Sequence, residues 1–379
     1  MLRCLLLLAL LGVCLSIPAP NILKKGHRHP LKVHRVLPSE DHRTKRYDLT
    51  IGSLSLIVLV GEGNGQAVLF RLDLTSGDLE IRMCLDSLPP DSHGTHNECF
   101  NPKYSKSYSQ LTGELGMDTI HALLPESDNF TFPNTTFVAV NKTLSNTIYP
   151  SGCTGNLGLG WPSLAKYPET YFPFKFMRHE TDNHVNIFSL VISLSGCDAF
   201  YNYGVGCIME DNDNAPIHHV PVTSQGYWQF ALHGFTFGSI HEPLNAQAVI
   251  SSTRGFIGLP NKYLQKMMNT YGIKWDGLYE FYTVDCSTSA TLPSFEFMVD
   301  GKKLFIKPDV YVFTQRPLLN GRCVVYFEDS KKYGFGPDFY FGLPLIQSYC
   351  MEFDFDNKRL GFVQNTITCL SSCTCDYSV

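Results

Sequence analysis

The stretch AVLFRLDLTSGDLEI at residues 67–81 returns in a related form, AVISSTRGFIGLP, at residues 248–260. In both copies, apolar residues lead into a loop of small residues and resume after it. The loop opens on Asp73 in the first copy and on Ser251 in the second. Two copies of one unit about half a chain apart predict two lobes that face each other across a cleft.

Further motifs accompany the two loops. FNPKYSKSY at residues 100–108 and GNLGLGW at residues 155–161 follow the first loop, and VPVTSQGYWQF at residues 220–230 and FGLPLIQSY at residues 341–349 flank the second. In this order, from residue 47 to residue 365, the chain resembles the pepsin-like aspartic endopeptidases, whose two Asp-Thr-Gly loops meet between two β-lobes. The resemblance implies an all-β, bilobal fold around a central cleft, with a few short helices.

The start of the chain predicts export. Residues 1–16 carry Arg3 and an apolar segment of about twelve residues, whereas a bilayer span needs roughly twenty, so a signal peptide is favoured over a membrane anchor. We expect a secreted protein, with the lysosome or another acidic secretory compartment as the alternative. The predicted organisation is a signal peptide at 1–16, a basic propeptide at 17–46, an N-terminal β-lobe at 47–210 and a C-terminal β-lobe with a Cys-rich tail at 211–379.

The predicted propeptide and the body carry opposite charges. Residues 17–46 contain eight Lys or Arg and two acids, a balance of +6. The net charge of the whole chain is −5. Subtracting the +6 of the leader and the +1 of Arg3 leaves residues 47–379 with a net charge of −12. A basic leader is attracted to an acidic body, and the resemblance implies a propeptide that covers the cleft. The alternative is an unstructured, solvated arm.

A processing signal separates the leader from the body. Arg43, Lys45 and Arg46 form the Arg-x-Lys-Arg pattern that furin-type convertases cut. Cleavage there starts the mature chain at Tyr47. A protein that cannot cleave itself needs such a second enzyme.

The cysteine content also indicates an oxidising compartment, since eleven cysteines lie beyond residue 16. The resemblance pairs two sets of cysteines, and proximity in the sequence suggests a third pair. The odd total leaves at least one thiol free or bonded to another chain, so we expect a monomer with a possible intermolecular disulfide. The expected pairs are Cys84 with Cys99, Cys286 with Cys323 and Cys197 with Cys207.

Metal, cofactor and nucleic-acid sites are not predicted. Cys369, Cys373 and Cys375 have a spacing that metal sites use, but a fourth ligand is missing nearby, and the oxidising context favours disulfides. Phosphate loops and zinc-protease motifs are absent from the sequence, and a body of −12 disfavours nucleic acid.

Three acceptor sequons for N-glycosylation begin at Asn129, Asn134 and Asn141. Because they crowd into one stretch of an exported chain, they predict an exposed, glycosylated face of the first lobe.

The two loops predict a loss of catalysis. Aspartic proteolysis uses two carboxylates that share a proton. Asp73 matches the first of them, but Ser251 stands in place of the second. A serine hydroxyl has no acid-base equilibrium near neutral or acidic pH, so it cannot replace a carboxylate. We expect Asp73 to be retained without its partner.

Other departures from the family accompany this loss. Thr75 and Thr253 replace the glycines that let the two loops approach closely. Leu74 cannot make the cross-loop hydrogen bond of the family's threonine, whereas Ser252 can. The segment between Tyr108 and Gly113 is also too short for the flap hairpin that closes over a substrate.

These features favour a pseudoenzyme that binds a protein or peptide in its cleft or on its surface. The alternative is a weak acid endopeptidase in which Asp78 or Glu80 supplies the second carboxylate. A new Ser-His-Asp enzyme is disfavoured, because Ser251 and Ser252 lack a Gly-x-Ser-x-Gly elbow.

Three local predictions concern the second half. A helix should follow Pro260 and stop at Gly272, since apolar residues recur there at helical spacing. A hairpin should span residues 351–363, where apolar and acidic residues alternate around Asp-Asn-Lys. Residues 303–313 have the β-branched and apolar mixture of a strand.

Overall fold

The fold is all-β and bilobal, as the resemblance implied. The strands are β1 (His27–His34), β2 (Ser53–Val60), β3 (Gln66–Asp73), β4 (Leu79–Met83), β5 (Ser109–Gln110), β6 (Leu115–Ala122), β7 (Phe130–Asn141), β8 (Gly155–Gly158), β9 (Ile187–Ile192), β10 (Asp198–Tyr203), β11 (His218–Pro221), β12 (Gln229–Phe237), β13 (Ile240–Ile250), β14 (Ile257–Leu259), β15 (Lys274–Asp276), β16 (Phe281–Asp285), β17 (Phe295–Val299), β18 (Lys302–Ile306), β19 (Val312–Phe313), β20 (Arg322–Val325), β21 (Phe327–Asp329), β22 (Phe339–Phe341), β23 (Tyr349–Asp354) and β24 (Arg359–Gln364).

Helices are few and short. The α-helices are α1 (Pro173–Arg178), α2 (Asn261–Tyr271), α3 (Pro308–Tyr311) and α4 (Leu343–Ser348), and 3-10 helices lie at Pro102–Tyr104, Pro162–Leu164, Pro168–Thr170 and Cys286–Thr291. The structure is a computed structural model that describes residues 27–34, 53–61, 65–84, 99–122, 130–141, 153–178, 185–195, 198–203, 206–207, 216–315, 317–331 and 337–367.

One large sheet is shared by both halves of the chain. Its 13 strands run in the order β11-β24-β23-β9-β10-β1-β2-β3-β8-β4-β7-β6-β5, with β2 also pairing with β6. The second half adds a 7-stranded sheet, β18-β17-β12-β13-β22-β14-β21, and a 4-stranded sheet, β15-β16-β20-β19. Because β11, β23 and β24 join β9 and β10, strands from beyond residue 210 complete the large sheet. The predicted boundary at 210 stays a prediction.

Aromatic side chains fill the core where the two halves meet. Trp161 lies 4.8 Å from Trp228 between ring centroids, and Phe188 stacks on Phe353 at 4.6 Å. The Trp228 indole Nε1 donates a hydrogen bond of 2.9 Å to the carbonyl oxygen of Leu159, which satisfies its buried N–H. These rings come from segments far apart in sequence, so their burial holds the halves together.

Two of the three local predictions are confirmed. Helix α2 ends at Gly272, whose φ of 67° lies in the left-handed region that glycine adopts without strain. Strands β23 and β24 form the predicted hairpin. The prediction of one strand over residues 303–313 is wrong. Pro308 has no N–H for a sheet ladder and its fixed φ suits the first turn of a helix, so α3 separates β18 from β19.

The structure contains three disulfides among its described cysteines. Cys84 bonds to Cys99 and Cys286 to Cys323, as the resemblance implied. The third joins Cys207 to Cys350, so the proposed pair of Cys207 with Cys197 is wrong. Sheet pairing overrides proximity in sequence here. Cys207 follows β10, Cys350 lies on β23, and both strands pair with β9, so the two Cα atoms lie 5.9 Å apart.

The turn of the β23–β24 hairpin carries a testable electrostatic contact. The Asp354 carboxylate accepts three hydrogen bonds of 2.8–2.9 Å. Asn357 donates two of them, from its backbone N–H and its side-chain Nδ2, and Arg359 Nε donates the third. Burial raises the pKa of Asp354, but these bonds and the positive charge of Arg359 together outweigh it and lower the pKa below its usual range. The stabilisation is therefore present above the unfolded-state pKa and is lost as pH falls through the lowered folded-state value.

We predict that Asp354→Asn lowers the free energy of unfolding at pH 7 by about 1–2 kcal/mol, because an amide replaces a charged acceptor. The difference from wild type should shrink as pH falls below about 4, the ordinary pKa of aspartate. Urea unfolding from pH 3 to 7 measures it. The control, Asp338→Asn, removes a carboxylate from a half-exposed pair with Lys331 and should match wild type. A pH-independent difference would contradict the assignment.

Candidate functional site

The two loops occupy equivalent places in the fold. Asp73 is the last residue of β3, which pairs in parallel with β8, and Ser251 directly follows β13, which pairs in parallel with β22. Both strands are buried where they enter the loop. Gly158 lies opposite Asp73 on β8, and a Cβ there would come within 2.6 Å of the Asp78 nitrogen. Glycine is required at this close approach.

A buried hydroxyl joins the two loops. Ser252 Oγ donates a hydrogen bond of 2.8 Å to the Leu72 carbonyl oxygen and accepts one of 3.1 Å from the Leu74 amide. Leu74, the equivalent residue in the first loop, has an apolar side chain that is fully buried. Half of a symmetrical contact therefore remains, as the sequence predicted. It brings the loops of Asp73 and Ser251 together.

Both carboxylate oxygens of Asp73 are held by protein donors. Oδ1 accepts hydrogen bonds from the Thr75 amide at 2.8 Å and from Thr75 Oγ1 at 2.5 Å. Oδ2 forms an ion pair of 3.2 Å with Arg71 Nη2. Asp73 is 6% exposed and Arg71 8%, so this pair is shielded from water. The threonine that replaces the family's glycine thus fixes the carboxylate.

Arg71 is positioned by the neighbouring strand. Its Nε donates a hydrogen bond of 3.1 Å to Asn156 Oδ1, and Asn156 lies directly opposite Arg71 on β8. The sequence reading missed both residues. The available signal was a charged residue inside an otherwise apolar strand, two positions before Asp73 and so on the same face.

The second loop has the same clamp without a carboxylate. Ser251 Oγ lies 3.2 Å from Thr253 Oγ1 and accepts a long hydrogen bond of 3.4 Å from the Thr253 amide. Ser251 is buried. In both loops, the threonine two positions on therefore holds the residue at the catalytic position of the family.

Asp78, one candidate for a substitute carboxylate, is engaged elsewhere. It accepts hydrogen bonds from the Lys166 amide at 2.9 and 3.0 Å and from Thr170 Oγ1 at 2.6 Å. Its buried carboxylate thus anchors the loop that contains two 3-10 helices. The other candidate, Glu80, lies on β4 opposite Asn156.

The hairpin in place of a flap is short. Strand β5 has 2 residues and pairs with β6 through Ser109 with Met117 and Gln110 with Gly116. The turn between the strands, residues 111–114, is exposed. The described hairpin is therefore shorter than the flap that closes over a substrate in the family.

A free thiol lies near the ion pair. Among the described cysteines, Cys153 is unbonded and buried. Burial raises the pKa of Cys153 to about 11, although the charge of Arg71 lowers it. The group is a protonated, inert thiol at neutral pH.

The other predicted site residues are distributed as follows. Asn134 is exposed, with φ of 51°, beside the bulge where β7 changes register against β6. Asn141 ends β7, but its side chain is not among those that the structure describes. Arg43, Lys45, Arg46 and Asn129 lie outside the described residues.

The described ranges contain neither a cluster of metal-binding side chains nor a membrane-spanning helix. His, Cys, Asp and Glu side chains form no group of three or more that could hold a metal ion. The helices of this part of the chain are all too short or too polar to cross a membrane.

The chain belongs to the eukaryotic aspartyl protease family, whose model matches residues 85–365. The match begins after the first loop and includes the second. Aspartic protease 17 of Caenorhabditis elegans is 28% identical over 76% of this chain and 71% of its own length, and Aspartic protease 1 of the same species is 27% identical over 69% and 65%. Gastricsin of Homo sapiens is 25% identical over 71% of each chain.

The contact between the loops can be tested with two neighbouring serines. We predict that Ser252→Ala lowers the free energy of unfolding by about 1–3 kcal/mol, because it leaves the Leu74 amide buried without a partner. Ser251→Ala removes only the long contacts with Thr253 and should cost under about 1 kcal/mol. Urea unfolding of both variants provides the comparison. Equal losses would contradict a special role for Ser252.

The Arg71–Asp73 pair can be tested with a double-mutant cycle. Arg71→Met and Asp73→Asn should each cost about 3–5 kcal/mol, since each leaves a buried charge without its partner. The double variant should lose less than the sum of the two, by more than about 1 kcal/mol. The exposed pair Lys166–Glu114 is the control and should show no measurable coupling. Additive losses at Arg71 and Asp73 would exclude a functional pairing.

Proposed function

We propose that this chain is a catalytically inactive member of the aspartyl protease family that acts by binding a protein or peptide. The observation that carries the proposal is the state of the two catalytic positions. Asp73 has both oxygens bound by Thr75 and Arg71, and Ser251 provides only a hydroxyl.

The chemistry supports inactivity. Hydrolysis of a peptide bond by this family uses one carboxylate as a base toward water and another as an acid toward the carbonyl. Ser251 supplies neither function. Asp78 would have to leave Lys166 and Thr170 to approach the site, which would strip a buried carboxylate of its hydrogen bonds.

Binding is the function that such a site can keep. The lobes of the family surround a cleft, and the hairpin formed by β5 and β6 is short, so an extended segment would meet an open cleft. The polar groups around Asp73 and Ser251 already form hydrogen bonds with one another. A ligand is therefore more favourably bound along the cleft, through its backbone and side chains, than at Asp73 and Ser251 themselves.

The processing features complete the proposal. The protein would be secreted, or held in an acidic secretory compartment, as a glycosylated monomer cut behind Arg46 by a furin-type convertase. Asn134 supports glycosylation, since its side chain is exposed. The chain would bind a protein or peptide, and its function would require no nucleic acid, metal or cofactor.

The test is proteolysis of a denatured, unstructured protein by the convertase-processed chain between pH 2 and 7. We expect no cleavage above the level of Asp73→Asn, and no rise in melting temperature with an inhibitor that mimics the transition state of aspartic proteases. An active pepsin-like protease serves as the positive control in both measurements.

The competing function is a weak acid endopeptidase with a non-standard second carboxylate. It predicts cleavage that the inhibitor and Asp73→Asn both abolish, and that result would overturn our proposal. Asp78→Asn and Glu80→Gln would then identify the second carboxylate. A cooperative melt for every variant separates a loss of activity from a loss of folding.

A further inference from the structure

Strand β1 joins the two halves of the 13-stranded sheet. It lies sixth in the strand order, between β10 on one side and β2 on the other. Five strands lie on the side of β1 that faces β10, and seven lie on the side that faces β2. In the described part of the chain, β10 and β2 do not pair directly with each other. Removal of β1 would therefore divide the sheet.

The pairing of β1 is staggered. Residues 27–32 pair with β10, from His27 opposite Tyr203 to Lys32 opposite Asp198, and residues 32–34 pair with β2. Pro30 falls in the part that pairs on one side only, where a missing N–H is tolerated. Leu31 is buried in the main core. This strand lies in the segment that the sequence predicts to be a propeptide.

The chain behind the proposed cut is too short to replace β1. Cleavage after Arg46 leaves six residues, 47–52, ahead of β2. A hairpin needs a loop of about two residues, so residue 50 at best lies opposite Ser53. Residues 47–50 would then take the places of residues 31–34.

That replacement would restore only part of the sheet. It recovers the three pairings with β2 but only those of Leu31 and Lys32 with β10. The pairings of residues 27–30 with residues 200–203 would be lost, which leaves most of β10 as an open edge. Open edges are exposed to pairing with other chains.

We infer that the leader, residues 17–46, stays bound through β1 after cleavage behind Arg46, so that the processed protein consists of two non-covalently associated chains. This inference rests on the proposed processing, but its structural content is the pairing of β1. The acidic body then binds its own basic leader before any other partner. The backbone pairing of β1 and the burial of Leu31 hold the leader in place.

The experiment uses the full exported chain with residues 43–46 replaced by the recognition sequence of a site-specific laboratory protease. The cut therefore does not depend on the proposed convertase. After complete cleavage, gel filtration and native mass spectrometry at pH 7 should show leader and body in a 1:1 complex, both in 0.15 M and in 1 M NaCl. At 1 M salt the screening length is about 3 Å, so charge attraction alone would not retain the leader.

Two variants provide matched controls. Leu31→Asp places a charge at a buried position of β1 and should release at least nine tenths of the leader after cleavage. Leu319→Asp makes the same change at an exposed position of the body and should release none. Each uncut variant is checked for a cooperative melt.

The inference is overturned if the wild-type leader leaves after cleavage, whether the body then stays folded or aggregates. It is also overturned if the leader leaves only in 1 M NaCl, which would show electrostatic attachment. Failure of a furin-type convertase to cut the natural sequence would instead count against the proposed processing. Proteolytic activity of the body would count against the proposed function alone.

Discussion

The hydroxyl of Ser252 is the contact on which the arrangement of the site depends. It bonds the backbone on both sides of Asp73, so the end of β3 and the start of the second loop are fixed against each other. The contact needs only a small hydroxyl and buried backbone groups. It therefore does not depend on a carboxylate at position 251, and it gives the site a rigid centre.

Around that centre, two buried carboxylates make structural contacts. Asp73 is a buried half of an ion pair, and Asp78 anchors a loop. An ion pair in the interior is costly to desolvate, so it persists only where additional hydrogen bonds complete it. Thr75 and Asn156 supply those bonds here. The departures at these positions are mutually consistent, which a single accidental replacement would not produce.

Local patterns and the family motifs were enough to predict the fold class, helix α2 with its end at Gly272, and the β23–β24 hairpin. These features depend on spacing along the chain, which a sequence displays directly. The contacts that define the site depend on neighbours across the sheet instead. Arg71 meets Asn156 because β3 pairs with β8. Cys207 meets Cys350 because β10, which precedes Cys207, and β23, which carries Cys350, both pair with β9. Only sheet register reveals such partners.

The Cys207–Cys350 bridge has a consequence for resistance to proteolysis. Its two cysteines are 143 positions apart, and the span between them contains every strand of the 7-stranded and 4-stranded sheets. A single backbone cut within that span would leave both pieces covalently attached. Residues 207–350 thus form a covalently closed loop, so a single proteolytic nick within it would not by itself release a fragment.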